Sequence, residues 1–162
     1  MATSTDERTG RTASWLTLVP FLAAVMAVAV LGGLSASGSA ATYAALERPG
    51  FAPPSWLFGP VWTVLYVAIG VAGWLLWRAR GWSPALTCWV VQLALNLAWT
   101  PLFFAADRRG LALVDISLLV VVLAATMVLG WRTSRAAVWL LAPYLAWVLY
   151  ATALNAAIWA LN

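Results

Sequence analysis

Aromatic side chains share one helical face with amides or phenols in each of three apolar segments of this 162-residue chain. At 100° of rotation per residue, rings stand beside amides or phenols on each face. The faces are Phe58, Trp62, Tyr66, Ile69 and Gly73 in the second segment, Trp89, Gln92, Asn96, Trp99 and Phe103 in the third, and Tyr144, Trp147, Ala151 and Asn155 in the fifth.

Two interpretations of these faces are open. Polar side chains in a membrane helix face the bundle interior, so the rings beside them are expected to point inward too. The amides Gln92, Asn96 and Asn155 could simply join helices, at about 0.6 kcal/mol per hydrogen bond. Alternatively, the rings form the walls of a slot for a planar ligand, and the amides orient that ligand. The tryptophans beside the amides favour the slot, because joining helices does not require them.

The composition predicts that five helices position these faces. The chain is 64% hydrophobic and 9% charged, and about 20 apolar residues of helix cross a bilayer. The predicted helices are 15–34, 56–77, 84–104, 111–131 and 136–160, which form one all-α transmembrane domain over 15–162 after a polar tail, 1–14. Continuous apolar runs exclude a barrel. The alternative for the first segment is a signal peptide, with Ser35–Ala40 as a cleavage region.

A proline-rich lid loop is predicted at 35–55. Pro49, Pro53 and Pro54 fix φ and remove backbone donors, so residues 49–54 cannot be helical and form a stiff part of the loop. A rigid loop ahead of a membrane helix is better explained as a cover over a site than as a simple connection. Arg48 precedes it, either as a solvated loop charge or as a partner for an anionic group on a ligand.

The charges predict an orientation. Six arginines fall on one side of the predicted bundle (Arg8, Arg11, Arg78, Arg80, Arg132 and Arg135) and three on the other (Arg48, Arg108 and Arg109). Because positive loops prefer the cytoplasm, the N-terminus is predicted inside and the lid outside. The net charge of +4 arises from these loop arginines and does not indicate nucleic acid.

Asp115 is the only acid inside a predicted span. A carboxylate within a membrane is a functional candidate by default. Because Asp115 lies near a helix start, however, the favoured interpretation is an ion pair with Arg108 or Arg109, or a favourable position in the helix dipole.

Other residue types limit the chemistry. The chain has no His and one Cys, Cys88, so imidazole ligation of haem or zinc and an internal disulfide are excluded, and no metal site is predicted. Five tryptophans near helix ends fit an interfacial belt: Trp15, Trp77, Trp82, Trp131 and Trp159. Ala94 and Ala98 form a weak small-xxx-small signal for a dimer.

Four motifs resemble the signature of the TspO/MBR family (tryptophan-rich sensory protein / translocator protein, also called the peripheral-type benzodiazepine receptor family). They are RPGFAPPSWLFGPVWTVLY at 48–66, QLALNLAWTPLFF at 92–104, ALVD at 112–115, and Pro143-Tyr144-x-x-Trp147 followed by Leu154-Asn155. The resemblance covers about residues 15–160. It implies a five-helix bundle, often a homodimer, with a ligand pocket under the lid. Matched by motif, the implied pocket residues are Tyr43, Trp62, Gln92, Asn96, Trp99, Tyr144, Trp147 and Asn155.

The resemblance implies a membrane receptor for porphyrins, such as protoporphyrin IX or haem, in tetrapyrrole regulation or stress response. No cofactor is required, and the expected partners are the porphyrin, membrane lipid and a second copy. One alternative is light- and oxygen-dependent porphyrin breakdown with Trp62 and Trp147 as redox residues. The other is porphyrin or sterol transport. The expected location is the bacterial cytoplasmic membrane. Two departures are Thr42, where the family often has Trp, and a fifth helix without the animal cholesterol motif.

Overall fold

The computed structural model describes residues 15–36 and 38–162. Within these residues the chain is helical and contains no strand. The α-helices are α1 (Val19–Ser35), α2 (Ser39–Ala45), α3 (Phe58–Arg80), α4 (Pro84–Thr100), α5 (Arg109–Gly130) and α6 (Arg135–Leu161). A 3₁₀ turn, Ser55–Leu57, precedes α3, and a π-helical turn, Pro101–Ala105, follows α4. The predicted all-α membrane class is confirmed.

Four helical stretches are each long and apolar enough to cross a membrane: Ser55–Arg80, Pro84–Ala105, Arg109–Gly130 and Arg135–Leu161. The pair α1 and α2 meets at a 56° bend and forms the fifth span when taken together. The five spans pack in a closed ring, in which α1 touches α3 and α4, α6 touches α3 and α5, and α4 touches α5.

Local sequence explains where these helices begin and end. Ser83 and Ser134 accept hydrogen bonds from the backbone N–H three residues later, which caps α4 and α6. Gly81 ends α3 at a φ of 61°, a conformation that favours glycine. Pro101 cannot donate a helical hydrogen bond, and the chain passes there into the π-helical turn.

The structure changes the predicted boundaries in two places. Helix α3 continues to Arg80, past the predicted end at 77, because nothing interrupts it before Gly81. The lid segment 35–55 contains helix α2, which follows a turn at Gly38 with a φ of 83°. Residues 47–54 are not helical, as the prolines predicted. The tail 1–14, with Arg8 and Arg11, lies outside the described residues.

The bundle has two halves that differ in packing. In the half away from the lid, called the packed half, the ring of Trp89 covers Gly73, and the Trp89 Nε1 donates to the Ile69 carbonyl oxygen at 2.9 Å. Leu22 and Val25 of α1 press on Gly70 in the same way. The other half, called the lid half, holds a cavity.

Candidate ligand site

A cavity of about 400 Å³ lies in the lid half, within the size range of ligand sites. It is enclosed by α1, α2, α3, α4, α5 and α6 and by the 3₁₀ and π-helical turns. Its aromatic wall consists of Tyr43, Phe58, Trp62, Tyr66, Trp99, Phe103, Phe104 and Trp147. The described residues that line it include no acidic or basic side chain. The cavity therefore suits an apolar body with a few polar atoms.

The aromatic rings of the wall are arranged in contacting pairs. Trp62 stacks on Tyr66 with centroids 5.2 Å apart, and Trp99 stacks on Phe103 at 5.1 Å. Trp147 meets Phe58 edge-on at 5.9 Å. Because each ring is held by a neighbour, the walls are rigid and flat before any ligand arrives.

A hydrogen-bonded chain of four side chains starts at the cavity wall and runs away from it. The Tyr66 hydroxyl donates to Asn96 Oδ1 at 2.9 Å, and Asn96 Nδ2 donates to the Tyr144 hydroxyl at 3.0 Å. That hydroxyl donates to Gln92 Oε1 at 2.9 Å. Tyr66 and Asn96 line the cavity. Tyr144 and Gln92 are fully buried and do not line it, so they support Asn96 from behind.

The indole N–H of Trp147 is the uncommitted donor of this site. Trp147 Nε1 is buried and has no hydrogen-bond partner among the described residues. Trp99 Nε1, in contrast, donates to Asn155 Oδ1 at 3.0 Å, and Asn155 Nδ2 donates to the Arg109 carbonyl oxygen at 3.0 Å. A buried donor without a partner is costly, so this N–H is an unsatisfied group within the cavity wall.

Three side chains hold the lid in place, Tyr43 from within the lid and Tyr150 and Asn162 from the bundle. The Tyr43 hydroxyl donates to the Pro53 carbonyl oxygen at 3.1 Å, and the Tyr150 hydroxyl to that of Phe51 at 2.9 Å. The Asn162 amide pairs with the Glu47 backbone in both directions, at 3.1 and 3.0 Å. The lid is therefore held by hydrogen bonds to its own backbone as well as by proline stiffness.

Twelve residues are predicted to bind the ligand: the eight pocket residues implied by the resemblance, with Arg48, Phe58, Tyr66 and Ala151. The structure places nine of them in the cavity wall. They are Tyr43, Phe58, Trp62, Tyr66, Asn96, Trp99, Trp147, Ala151 and Asn155. Gln92 and Tyr144 stand behind Asn96. Arg48 lies outside, with its guanidinium carbon 5.0 Å from the centroid of the Tyr43 ring.

Sequence reasoning missed the wall formed by α1. Its members are small residues spaced by three and four, namely Ala29, Gly32, Gly33 and Ala36. This spacing marks a helical face, but small side chains carry no chemistry that would have drawn attention to it. Gly33 and Gly59 have open space where a Cβ would stand, and both are exposed. The cavity therefore reaches the surface between α1 and the start of α3.

The favoured ion pair of Asp115 is wrong. Arg109 pairs instead with Asp107, whose Oδ1 lies 2.6 Å from the Arg109 Nη2. Asp115 is 8% exposed, and its Oδ2 has no hydrogen-bond partner among the described residues. Six residues separate Arg109 from Asp115, which places them about 240° apart around α5. Asp115 also does not line the cavity.

Comparison with known proteins gives matches over most of the chain. The model of the TspO/MBR family matches residues 11–160. The tryptophan-rich protein TspO of Archaeoglobus fulgidus is 41% identical over 150 residues, 91% of this chain and 97% of that protein. The translocator protein of Homo sapiens is 43% identical over 122 residues, 72% of each chain. The tryptophan-rich sensory protein of Cereibacter sphaeroides is 35% identical over 144 residues, 87% of this chain and 88% of that protein.

Proposed function

The chain belongs to the TspO/MBR family, and we propose that this integral membrane protein is a receptor for a porphyrin such as protoporphyrin IX. The observation that carries the proposal is the cavity of about 400 Å³ whose aromatic walls come from α2, α3, α4, the π-helical turn and α6. A tetrapyrrole is a flat, largely apolar ring, and stacked indole and phenol faces complement such a body.

The charges around the cavity support one orientation of that ligand. Since the described lining has no basic side chain, the two carboxylates of the porphyrin are best accommodated outside the aromatic slot. Arg48 is exposed and lies over the ring of Tyr43, a wall residue, so its guanidinium can pair with a carboxylate that extends out of the cavity on that side. The porphyrin ring would enter the slot between the aromatic walls.

The proposed role is to sense or buffer porphyrin in tetrapyrrole regulation or stress response. One relative is named a sensory protein and another a translocator protein, and a preformed slot under a fastened lid favours binding over passage. The proposal includes a homodimer in the bacterial cytoplasmic membrane with its N-terminus inside. No cofactor is needed for binding.

The test places a bulky side chain in the cavity, and the control places the same side chain on the outer surface of the same helix. Ala151 lines the cavity, whereas Ala153, two residues further along α6, is exposed on another face. Purified protein is titrated with protoporphyrin IX in the dark, and tryptophan fluorescence is followed. Ala151→Phe is expected to weaken binding by at least about tenfold, since its ring occupies ligand space, while Ala153→Phe binds normally. Equal affinities in the two variants would refute this cavity as the porphyrin site.

A second candidate function is photochemical breakdown of the porphyrin. Trp62 stacks on Tyr66 at 5.2 Å and meets Tyr144 at 6.1 Å, so a radical formed on Trp62 has phenols beside it. An excited porphyrin would take one electron from Trp62 or Trp147, and dioxygen, the oxidant, would add to a carbon–carbon bond of the reduced ring. The electron then returns to the tryptophan radical, so the net reaction is porphyrin plus dioxygen giving an oxygenated ring. Replacing both by Phe should then leave dark binding in place and slow the loss of the Soret band in light. Unchanged loss would show that these rings are walls only.

A further inference from the structure

We propose that the end of the bundle opposite the lid binds an anionic phospholipid that carries two phosphates. Four arginines define this basic face: Arg78, Arg80, Arg132 and Arg135. The inference concerns a surface away from the cavity and is independent of the porphyrin proposal.

Direct contacts bring the two arginine pairs to one place. A Cβ on Gly130 would lie 3.2 Å from Leu76 of α3 and 3.4 Å from Val138 of α6. Arg78 and Arg80 follow Leu76 closely along the chain, and the loop after Gly130 carries Arg132 and Arg135. The two loops are therefore neighbours at the same end of the ring of helices.

Two of the arginines are held by tryptophans, and two are free to bind. The guanidinium of Arg78 lies 4.7 Å from the Trp74 ring, and that of Arg135 lies 5.4 Å from the Trp131 ring. Arg80 and Arg132 are exposed and have no ion pair among the described residues. A guanidinium binds a phosphate through two parallel hydrogen bonds, and one free arginine per loop suits two phosphates.

Charge complementarity favours an anionic lipid at this end. Among the described residues, the acids are Glu47 and Asp107 near the lid and Asp115 within α5, so none neutralises the basic face. The tail, outside the described part, has two acids and two arginines and adds no net charge. Trp82 and Trp139 are exposed beside the arginines, at the depth where indoles meet headgroups. Basic surfaces between spans at this depth bind lipid headgroups.

The experiment compares three lipids on the full chain. Protein purified in an uncharged detergent is mixed with equal amounts of cardiolipin, phosphatidylglycerol and phosphatidylcholine, and native mass spectrometry measures the lipid retained. Cardiolipin, with two phosphates, should be retained most and zwitterionic phosphatidylcholine least. Each free arginine contributes about fivefold in affinity, so Arg132→Gln should lose about fivefold and the double variant Arg80→Gln, Arg132→Gln about 25-fold.

Arg108→Gln is the matched control, because Arg108 and Arg132 stand at opposite ends of the same helix, α5, and both are exposed. It should change cardiolipin retention by less than about twofold. Thermal melting followed by helical circular dichroism identifies any misfolded variant, and the single Arg132→Gln variant tests the proposal if the double one fails to fold. Equal retention of the three lipids, or equal loss in Arg108→Gln, would overturn the proposal and favour an acidic protein as the occupant.

Discussion

Two glycines in the packed half of the bundle lie against neighbouring side chains, whereas two glycines in the lid half border open space. In the packed half, a Cβ on Gly73 would lie 2.3 Å from the Trp89 ring, and one on Gly70 would lie 2.9 Å from Leu22. In the lid half, Gly33 and Gly59 have no atom within 4 Å of that position. Glycine thus allows close contact at one end and leaves space at the other. Both lid-half glycines are exposed and line the cavity, so the space beside them is the opening of the cavity at the surface.

Tryptophans differ between the halves in the same sense. Trp89 in the packed half donates its N–H to the Ile69 carbonyl oxygen and packs its ring over Gly73. Trp147 in the lid half leaves its buried N–H without a partner in the described chain. The same residue type therefore completes the core in one half and leaves an unsatisfied buried donor in the wall of the other.

The largest expected effect is a difference in the free energy of unfolding between a glycine substitution in the packed half and one in the lid half. Gly73→Ala forces a methyl group into the fixed Trp89 ring, and overpacking costs about 1–3 kcal/mol, partly offset by about 1 kcal/mol of helix propensity. Because a Cβ at 2.3 Å lies far inside van der Waals contact, the upper end of that range applies, and we expect the free energy of unfolding to fall by about 2 kcal/mol. Gly59→Ala, in open space on the same helix, should leave it unchanged or raise it by up to about 1 kcal/mol.

Thermal melting of both glycine variants in one detergent measures this contrast. Opposite signs are expected for the two substitutions. If Gly59→Ala destabilised the protein as much as Gly73→Ala, the division into a packed half and an open half would be wrong.

Helical periodicity predicted the side of each helix that faces inward but could not predict this division. The face of α4 runs from Trp89 to Phe103 without a change in pattern, although Trp89 is packed against α3 and Phe103 lines the cavity. What separates them is the distance between neighbouring helices. That distance depends on contacts such as Leu22 on Gly70, which join residues far apart in sequence.

Two other features were beyond sequence reasoning for local reasons. The α1 wall is formed by the absence of side chains, so it has no chemical signature. The partner that Arg109 takes, Asp107, depends on a left-handed backbone conformation with a φ of 51°, which the sequence does not specify. The six-residue spacing, in contrast, already separates Arg109 from Asp115 by about 240° around α5.

The next effect concerns the side chains at the boundary between the halves. Asn96 lines the cavity and accepts from Tyr66, whereas Gln92 lies behind it and contacts the same Tyr144 hydroxyl. Asn96→Leu removes the partner that fixes Tyr66, and the loss of one such hydrogen bond is worth about 1 kcal/mol. Porphyrin affinity should therefore fall about fivefold.

Gln92→Leu is the comparison for that prediction. Its Nε2 has no partner among the described residues, so leucine removes one unsatisfied donor, but it also leaves the buried Tyr144 hydroxyl without its acceptor. These effects partly cancel, and the free energy of unfolding should fall by about 1 kcal/mol. Dark titrations with protoporphyrin IX should give a dissociation constant within about twofold of the original. A larger loss in Gln92→Leu than in Asn96→Leu would move the boundary of the site deeper than the cavity wall.

The smallest expected effect concerns the lid that covers the open half. Tyr150→Phe keeps the ring, which packs edge-on against Phe51 at 6.2 Å, and removes only the hydroxyl that bonds the Phe51 carbonyl oxygen. One exposed hydrogen bond of about 0.5 kcal/mol should speed porphyrin dissociation by about twofold to threefold if release requires the lid to lift. Stopped-flow measurement of the dissociation rate gives the answer. An unchanged rate would mean that porphyrin leaves through the opening between α1 and α3 at Gly33 and Gly59, and that the lid is a fixed part of the wall.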